Sequence, residues 1–191
     1  MFIQTEATPN PTTRRLMPGQ TLHDGPAVDV PTAEDAQRLS PLAAALFGHP
    51  QVRGVMIGQD WLSVTLANPI DWEDVGSDIL LTVANHLQSG QPVITETAAA
   101  EPTTASWTAA DEAERDLLTR VDALLATRVR PALAQDGGDA VLMGMIEGGG
   151  VRIALKGACV GCPSSTLTLK MGIENLLRHY FPGEVGWVEA A

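Results

Sequence analysis

The stretch that most constrains the fold of this chain lies between residues 151 and 180. It opens with an alternating run, VRIALK from Val151, which is typical of a β-strand. A Cys-x-x-Cys motif follows, formed by Cys159 and Cys162, the only two cysteines in 191 residues. Apolar residues at helical spacing come next, and Pro163 suits the first position of a helix. The sequence therefore predicts a strand, a short loop bearing two thiols, and a helix.

The predicted loop combines backbone freedom with a helix N-terminus. Gly157 and Gly161 permit a tight turn and a close approach of the backbone to whatever the sulfurs hold. The first N–H groups of a helix have no intrahelical partner, and the candidates here are Ser164, Ser165 and Thr166. Together with the positive end of the helix dipole, they favour thiolate over thiol. Two such ligands suit a thiophilic metal or a thiol–disulfide exchange.

Charge is distributed unevenly around this motif. The whole chain has a formal net charge of −11. Between residues 151 and 180, however, the one acidic residue, Glu174, is outnumbered by four basic residues: Arg152, Lys156, Lys170 and Arg178. This local excess predicts a positive field around the cysteines, which would favour an anionic thiolate–metal centre.

The composition also argues against several classes of function. A net charge of −11 disfavours binding to nucleic acid, which needs clustered Lys and Arg, and disfavours docking on anionic lipid. No apolar run approaches the ~20 residues that span a bilayer, so we expect no membrane association. The N-terminus has neither the basic-then-apolar pattern of a signal peptide nor the look of an organelle presequence. We therefore expect a reducing, cytoplasmic compartment.

Periodicity predicts an α+β protein made of two small mixed domains. Residues 95–108 are rich in Ala and Thr and have no period, so we interpret them as a flexible linker between domains at residues 1–94 and 109–191. Each domain is predicted in the order helix, hairpin, helix, strand. The predicted elements of the first are helical turns over 34–47, strands 52–57 and 61–66, a helix 71–88 and a strand 92–94, after short strands at 2–5 and 27–30. Those of the second are a helix from about 111 that kinks at Pro131, strands 140–146 and 151–156, a helix 166–180 and a strand 185–188.

Two thiols fill only half of a soft tetrahedral site, which needs about four ligands. The four histidines (His23, His49, His86 and His179) do not obviously complete it, because three lie in the first domain and the fourth is far along the last helix. The simplest completion is symmetric: two chains each bring one Cys-x-x-Cys motif to a shared axis. An all-thiolate set of this kind suits zinc or an iron–sulfur cluster.

The motif alone leaves other functions open. Structural zinc, thiol–disulfide exchange and iron–sulfur binding are all compatible with a lone Cys-x-x-Cys. A strand, the motif and a helix N-terminus are also the local layout of thioredoxin-like oxidoreductases. That fold, however, needs a further strand, hairpin and helix after its redox helix, and only 29 residues follow Cys162. The position of the motif near the end of the sequence therefore disfavours a thioredoxin-like fold.

Two longer stretches resemble a known family. DGGD at Asp136–Asp139, with KGACVGCPSSTLTLKMGIEN from Lys156, resembles the C-terminal domain of NifU-like (Nfu-type) iron–sulfur scaffold proteins, over about residues 112–189. FIQTEATPNP from Phe2, with Met17-Pro-Gly, resembles the Nfu N-terminal domain. Together the two cover nearly all of the chain except the linker.

The resemblance implies a non-enzymatic iron–sulfur scaffold or carrier. It implies one 4Fe–4S cluster per homodimer, ligated by Cys159 and Cys162 of each copy, with a 2Fe–2S form as an alternative. The residues expected to line the cluster are Gly157, Gly161, Pro163, Ser164 and Ser165. The implied partners are apo iron–sulfur proteins, which accept the cluster, and upstream cluster assembly proteins. The N-terminal domain would bear no ligands and would recognise partners.

Overall fold

The structure is a computed structural model that describes residues 2–95, 107–160 and 163–190, the first three residues of the last range for their backbone only. The chain divides into two compact units, residues 1–103 and 104–191. Both mix helices with an open sheet, which confirms the predicted α+β class. Most of the predicted linker, residues 96–106, lies outside the described part of the chain.

The N-terminal unit is built on a five-stranded antiparallel sheet. Its strands are β1 (Gln4–Ala7), β2 (Thr13–Met17), β3 (Val28–Val30), β4 (Val52–Ile57) and β5 (Leu62–Leu66), in the spatial order β1-β2-β5-β4-β3. The hairpin β4–β5 confirms the prediction, whereas β2 was not predicted. It holds the sheet together, because it pairs with β1 on one side and with β5 on the other.

Three helices cover one face of this sheet's core: α1 (Ala33–Leu39), α2 (Pro41–Leu46) and α3 (Asp71–Ser89). The hydroxyls of Thr32 and Ser40 cap the first two helices. Helix α3 begins with three acidic residues and ends at Gly90, which has φ 72°, a left-handed conformation that glycine adopts without steric cost. The predicted bounds of α3 are confirmed to within one residue.

The predicted strand at residues 92–94 does not form. The segment is instead held against α1 and α2, because Ser40 Oγ donates a hydrogen bond to the carbonyl of Val93 at 2.5 Å and Thr95 N donates to Leu39 O at 2.9 Å. The hydrogen bonds of this segment therefore go to the helices and not to a sheet ladder. The order helix, hairpin, helix, strand is therefore wrong for the first unit.

The C-terminal unit does follow the predicted order. Its elements are α4 (Glu112–Leu124), a π-helical turn (Leu125–Val129), α5 (Arg130–Gln135), β6 (Gly138–Ile146), β7 (Gly150–Gly157), α6 (Pro163–Tyr180) and β8 (Trp187–Ala190). Strands β6 and β7 form an antiparallel hairpin, and β8 pairs parallel to β7 after the crossover through α6. Trp107 packs on the core of this unit, with its Cβ near Gly144.

The predicted kink at Pro131 takes the form of the π-helical turn. Proline has no N–H, and its ring crowds the carbonyl four residues earlier. Directly before it, the N–H of Arg130 bonds to the carbonyl of Leu125, five residues back. One extra residue in this turn lets the helix continue through the proline and end near Asp136.

Candidate metal centre

The cysteine loop lies where β6 begins and β7 ends. Gly138, the first residue of β6, is paired with Gly157, the last residue of β7. Gly157 has φ 60°, so a left-handed residue turns the chain out of the sheet two residues before Cys159. This confirms the prediction of a strand followed by a tight, glycine-dependent turn.

Backbone hydrogen bonds fix the path of the loop. The N–H of Ala158 donates to Gly137 O at 3.1 Å, which ties the loop to the end of the preceding helix. Cys159 N donates to Lys156 O at 3.3 Å and Val160 N to Gly157 O at 3.1 Å. The loop is thus shaped mainly by main-chain groups, and the side chain of Cys159 is not needed to hold it.

Gly138 lies against the sulfur of Cys159 and forms a wall of the site. It was not among the predicted site residues. A Cβ placed on this residue would lie far inside van der Waals contact with Cys159 Sγ and 2.9 Å from the carbonyl oxygen of Lys156. The sulfur therefore lies directly against bare backbone, and only glycine leaves it that space. The residue was visible as part of the DGGD sequence, which was used for the family resemblance and not for the site.

The thiol of Cys159 differs from the prediction. Its residue is 8% exposed, and burial raises the pKa of the thiol from 9.0 to about 11, with the negative charges of Asp136 and Asp139 acting in the same direction. The expected preference for thiolate is therefore wrong for this cysteine in the metal-free chain. A proton occupies the sulfur until a cation replaces it.

The expected positive field is also weakened by pairing. Arg152 lies 2.6 Å from Glu189 and Arg178 lies 3.3 Å from Glu174, so each is neutralised locally. Arg130 lies 3.6 Å from Asp139, and it opposes the burial that raises the pKa of that carboxyl. Counting charges along residues 151–180 could not include the DGGD acids, which strand pairing brings next to the cysteine.

The structure brings only some of the predicted site residues into view. Gly157 and Cys159 are placed as described, and Thr166 Oγ1 donates to Cys159 O at 3.3 Å. Helix α6 begins at Pro163, as predicted, with the backbone of Ser164 and Ser165 in its first turn. Gly161 and Cys162 lie outside the described residues, as do the side chains of residues 163–165.

Histidine does not complete the site. In the part of the chain that the structure describes, no group of three or more His, Cys, Asp or Glu side chains could hold a metal ion. His49 Nε2 lies 2.9 Å from Thr82 Oγ1, and His86, which is buried, lies 3.1 Å from the carbonyl of Pro92. Both are thus engaged in the N-terminal unit.

The arrangement fits a cationic, thiophilic guest. The sulfur of Cys159 is buried against glycine backbone, and sulfur donors favour zinc or iron–sulfur clusters. The positive charge of such a guest would compensate the acids that hold the proton on Cys159. None of the helices in the described ranges has the length and hydropathy to cross a membrane.

Comparison with known proteins covers both units. The family model described as "NifU-like domain" matches residues 121–188, and the model described as "Scaffold protein Nfu/NifU N terminal" matches residues 3–90. The chain is 40% identical over 190 residues to the human "NFU1 iron-sulfur cluster scaffold homolog, mitochondrial", covering 99% of this chain and 71% of the relative. It is also 40% identical over 190 residues to "NifU-like protein 5, mitochondrial" of Arabidopsis thaliana, covering 99% of this chain and 67% of that protein.

Among solved structures, the chain is similar to the solution NMR structure of a NifU-like protein from Saccharomyces cerevisiae. The TM-score is 0.44 and the sequence identity 20%, and the match covers 50% of this chain and 86% of that chain.

Proposed function

The chain belongs to the NifU-like family of iron–sulfur cluster scaffold proteins that carry an Nfu N-terminal domain, and from this premise we propose that it carries a cluster on Cys159 and Cys162. The observation that supports this most is the location of both cysteines of the chain in one loop. One of them is seated against the bare backbone of Gly138. No side-chain group that could complete a metal site lies among the residues that the structure describes.

The proposed cargo is a 4Fe–4S cluster shared by two copies of the chain. Each copy would supply two thiolates, giving the four that such a cluster takes. A cluster held at a contact between copies can be released when the contact opens, which suits a carrier better than a store. A 2Fe–2S form is the alternative cargo with the same ligands.

The proposed partners follow from the carrier role. Upstream cluster assembly proteins would load the site, and apo iron–sulfur proteins would accept its cluster. We assign the cluster to residues 109–191, partner recognition to residues 1–94 and flexible connection to residues 95–108. The protein would act without turning over a substrate, as the word scaffold in the names of its relatives suggests.

The proposed compartment is a reducing one, because two neighbouring thiols must stay unoxidised to bind a cluster. We predicted the cytoplasm from the sequence. The relatives with 40% identity are named mitochondrial, and their names do not support the cytoplasm specifically.

Anaerobic reconstitution tests the function directly. The full chain with iron and sulfide should take up about four irons and four sulfides per two chains and become a dimer, since each copy brings half the ligands. Cys159→Ser and Cys162→Ser should each lower the cluster content at least tenfold. The circular dichroism spectrum of each variant should show that the chain stays folded. Thr127→Ser, on the exposed side of the π-helical turn, is the matched hydroxyl control.

Three outcomes would contradict the proposal. A colourless monomer that keeps two titratable thiols after reconstitution would exclude a cluster. Zinc without acid-labile sulfide in anaerobically purified protein would indicate a zinc-bridged dimer instead. Reduction of a disulfide substrate that requires both cysteines but no metal would indicate thiol–disulfide exchange instead.

A further inference from the structure

Exposed apolar side chains are concentrated beside the cysteine loop. Val160 is 54% exposed, Leu167 60% and Met171 57%, although each is a large apolar residue. Val160 directly follows Cys159, and the other two lie on α6, which begins one residue after Cys162. Scattered exposed apolar residues are ordinary, but these three flank one functional loop in the sequence.

The helical geometry places the patch close to the ligands. Leu167 and Met171 are four residues apart, so they lie on the same side of α6, one turn from each other. Met171 lies about 12 Å along the helix axis from Pro163, at a rise of 1.5 Å per residue. Side chains on a helix lean toward its N-terminus, so both lean toward the cysteine loop.

A glycine interrupts the helix at the same place. Gly172 lies in the middle of α6, where glycine is the poorest helix former except proline. It is exposed, and a Cβ placed on it would have no neighbour within 4 Å, so the fold of this unit gives no reason for a missing side chain. A bare backbone next to exposed Met171 leaves room for another protein segment to approach closely.

We propose that the α6 patch, defined as Val160, Leu167, Met171 and Gly172, is the surface on which a second copy of this chain packs when the two share a cluster. This inference rests on the proposed function. The occupant is a second copy because each chain supplies only half of the thiolates. Whatever completes the ligand set must approach the cysteine loop and cover the surface beside it. In a two-fold contact the same patch lies on both sides, and an apolar patch is complementary to itself.

The size of the patch indicates how the contact works. Four residues cover far less than the ~800 Å² per partner of a standard stable interface. The patch alone therefore does not hold two copies together, and the cluster must supply the rest. We expect a metal-free monomer and a cluster-bound dimer, in which apolar contact also excludes water from the cluster.

Charge substitutions on the full chain test the patch. Leu167→Glu and Met171→Glu should each raise the dissociation constant of the anaerobically reconstituted dimer at least tenfold, measured by sedimentation with detection at the cluster absorbance. Met143→Glu is the matched control. Met143 is 46% exposed on β6, five residues from Gly138, so the same change of side chain there should leave dissociation unchanged.

Gly172→Ala separates the interface from helix propensity. Alanine is the better helix former, so the melting temperature of the metal-free chain should rise. The added methyl group should nevertheless raise the dissociation constant of the cluster-bound dimer several-fold. A substitution that only affects the helix would not stabilise the metal-free chain and weaken the cluster-bound dimer at the same time.

The outcomes distinguish the two proposals. If the unsubstituted chain takes up no cluster, the proposed function fails and this inference with it. If it forms the cluster-bound dimer and the α6 variants dissociate at the same concentration as Met143→Glu, only this inference is overturned. If the α6 variants leave the dissociation constant of the dimer unchanged but slow cluster transfer to an apo-ferredoxin, this inference is also overturned. The α6 patch would then be a surface that binds the acceptor protein.

Discussion

The loop between β1 and β2 in the N-terminal unit and the described part of the cysteine loop in the C-terminal unit differ in how far side chains hold them. In the first, Asn10 is buried, and its Oδ1 accepts from Thr12 N at 3.1 Å and Thr12 Oγ1 at 2.7 Å. Thr8 Oγ1 donates to backbone carbonyls of the same loop, and Trp72 Nε1 donates to Thr12 O at 2.9 Å. Side-chain hydrogen bonds therefore hold much of this loop in place.

In the described part of the cysteine loop, residues 157–160, backbone hydrogen bonds and glycines contribute most, with one side-chain bond from Thr166 Oγ1 to Cys159 O. Gly137 and Gly157 both have positive φ, and Gly138 leaves space for the sulfur of Cys159. A loop that main-chain groups hold in place leaves its side chains available for a ligand. The TPNPTT segment from Thr8 is therefore a structural motif, whereas the sulfur of Cys159 is not used to hold the described part of its own loop.

The largest effect should come from filling the space beside each strand end. Gly138→Ala would put a methyl group into Cys159 Sγ and the Lys156 carbonyl, with overpacking that costs about 1–3 kcal/mol, and should abolish cluster uptake. Gly58→Ala is the counterpart in the N-terminal unit, because its methyl group would run into the buried indole of Trp61. It should destabilise the chain similarly but leave iron uptake unchanged.

Urea denaturation and iron analysis of both variants measure the two effects. If Gly138→Ala loads iron as the unsubstituted chain does, the backbone wall is not part of the site. If Gly58→Ala also lowers iron uptake, loss of iron reports general destabilisation of the chain and not a change at the cysteine loop.

The next effect should come from a side chain that holds the N-terminal loop. Asn10→Ala removes the acceptor of two hydrogen bonds and leaves the N–H of Thr12 without that partner. Buried donors left unsatisfied cost about 1–3 kcal/mol, so the midpoint of urea denaturation should fall. Asn10→Asp, which keeps the acceptor oxygen, is the control. Cluster content should be unchanged, and an iron loss with Asn10→Ala would show that the two loops are coupled.

Much of the fold was predictable because its signals are local. Helix α3 combines acidic residues at its start, a regular apolar face and Gly90 after its end, and the hairpins β4–β5 and β6–β7 alternate around glycines. Strand β2 was missed because TRRLM has no clear alternation, and its formation depends on pairing with β5 almost 50 residues later. Residues 92–94 have strand composition, but hydrogen bonds hold this segment to Leu39 and Ser40 instead of to a sheet edge.

The site was predictable only as far as neighbours in sequence determine it. Cys159 and Gly157 were identified from the motif itself. Gly138 and the acids beside it lie about 20 residues earlier, and they reach the cysteine only through the register that pairs Gly138 with Gly157. The steric wall depends on that pairing, and the pairing also brings in the two acids that add to the effect of burial on the pKa of Cys159, so counting charges along the motif left them out.

Alkaline pH should affect the C-terminal unit through its buried thiol. Because the folded pKa of Cys159 is raised from 9.0 to about 11, the contribution of this thiol to stability is complete below pH 9 and is lost as pH rises toward 11. In Cys162→Ser, which leaves one thiol, alkylation of the folded chain should therefore stay slow until the pH approaches 11. Adding Asp136→Asn should shift the rise in rate to lower pH, since it removes one of the negative charges.

Alkylation rates measured from pH 7 to 11 provide the test, with the urea-unfolded chain as the reference for an unshifted thiol. A folded-state profile that coincides with that of the unfolded chain would contradict the burial of Cys159. The N-terminal unit contains no cysteine, so it contributes nothing to this profile.

The smallest effect should come from an ion pair across strands in each unit. Arg152 and Glu189 link β7 to β8 at 2.6 Å, but both side chains are largely exposed, so Arg152→Gln should change the free energy of unfolding by less than about 0.5 kcal/mol. Arg15, in contrast, is mostly buried, 3.4 Å from Glu6, with its guanidinium 5.4 Å from the ring of Trp61. Arg15→Gln should therefore cost more than Arg152→Gln in urea denaturation at low salt, and only the small effect of Arg152→Gln should vanish at high salt. Equal costs would mean that side chains do not hold the N-terminal unit more firmly than they hold the unit that presents the thiols.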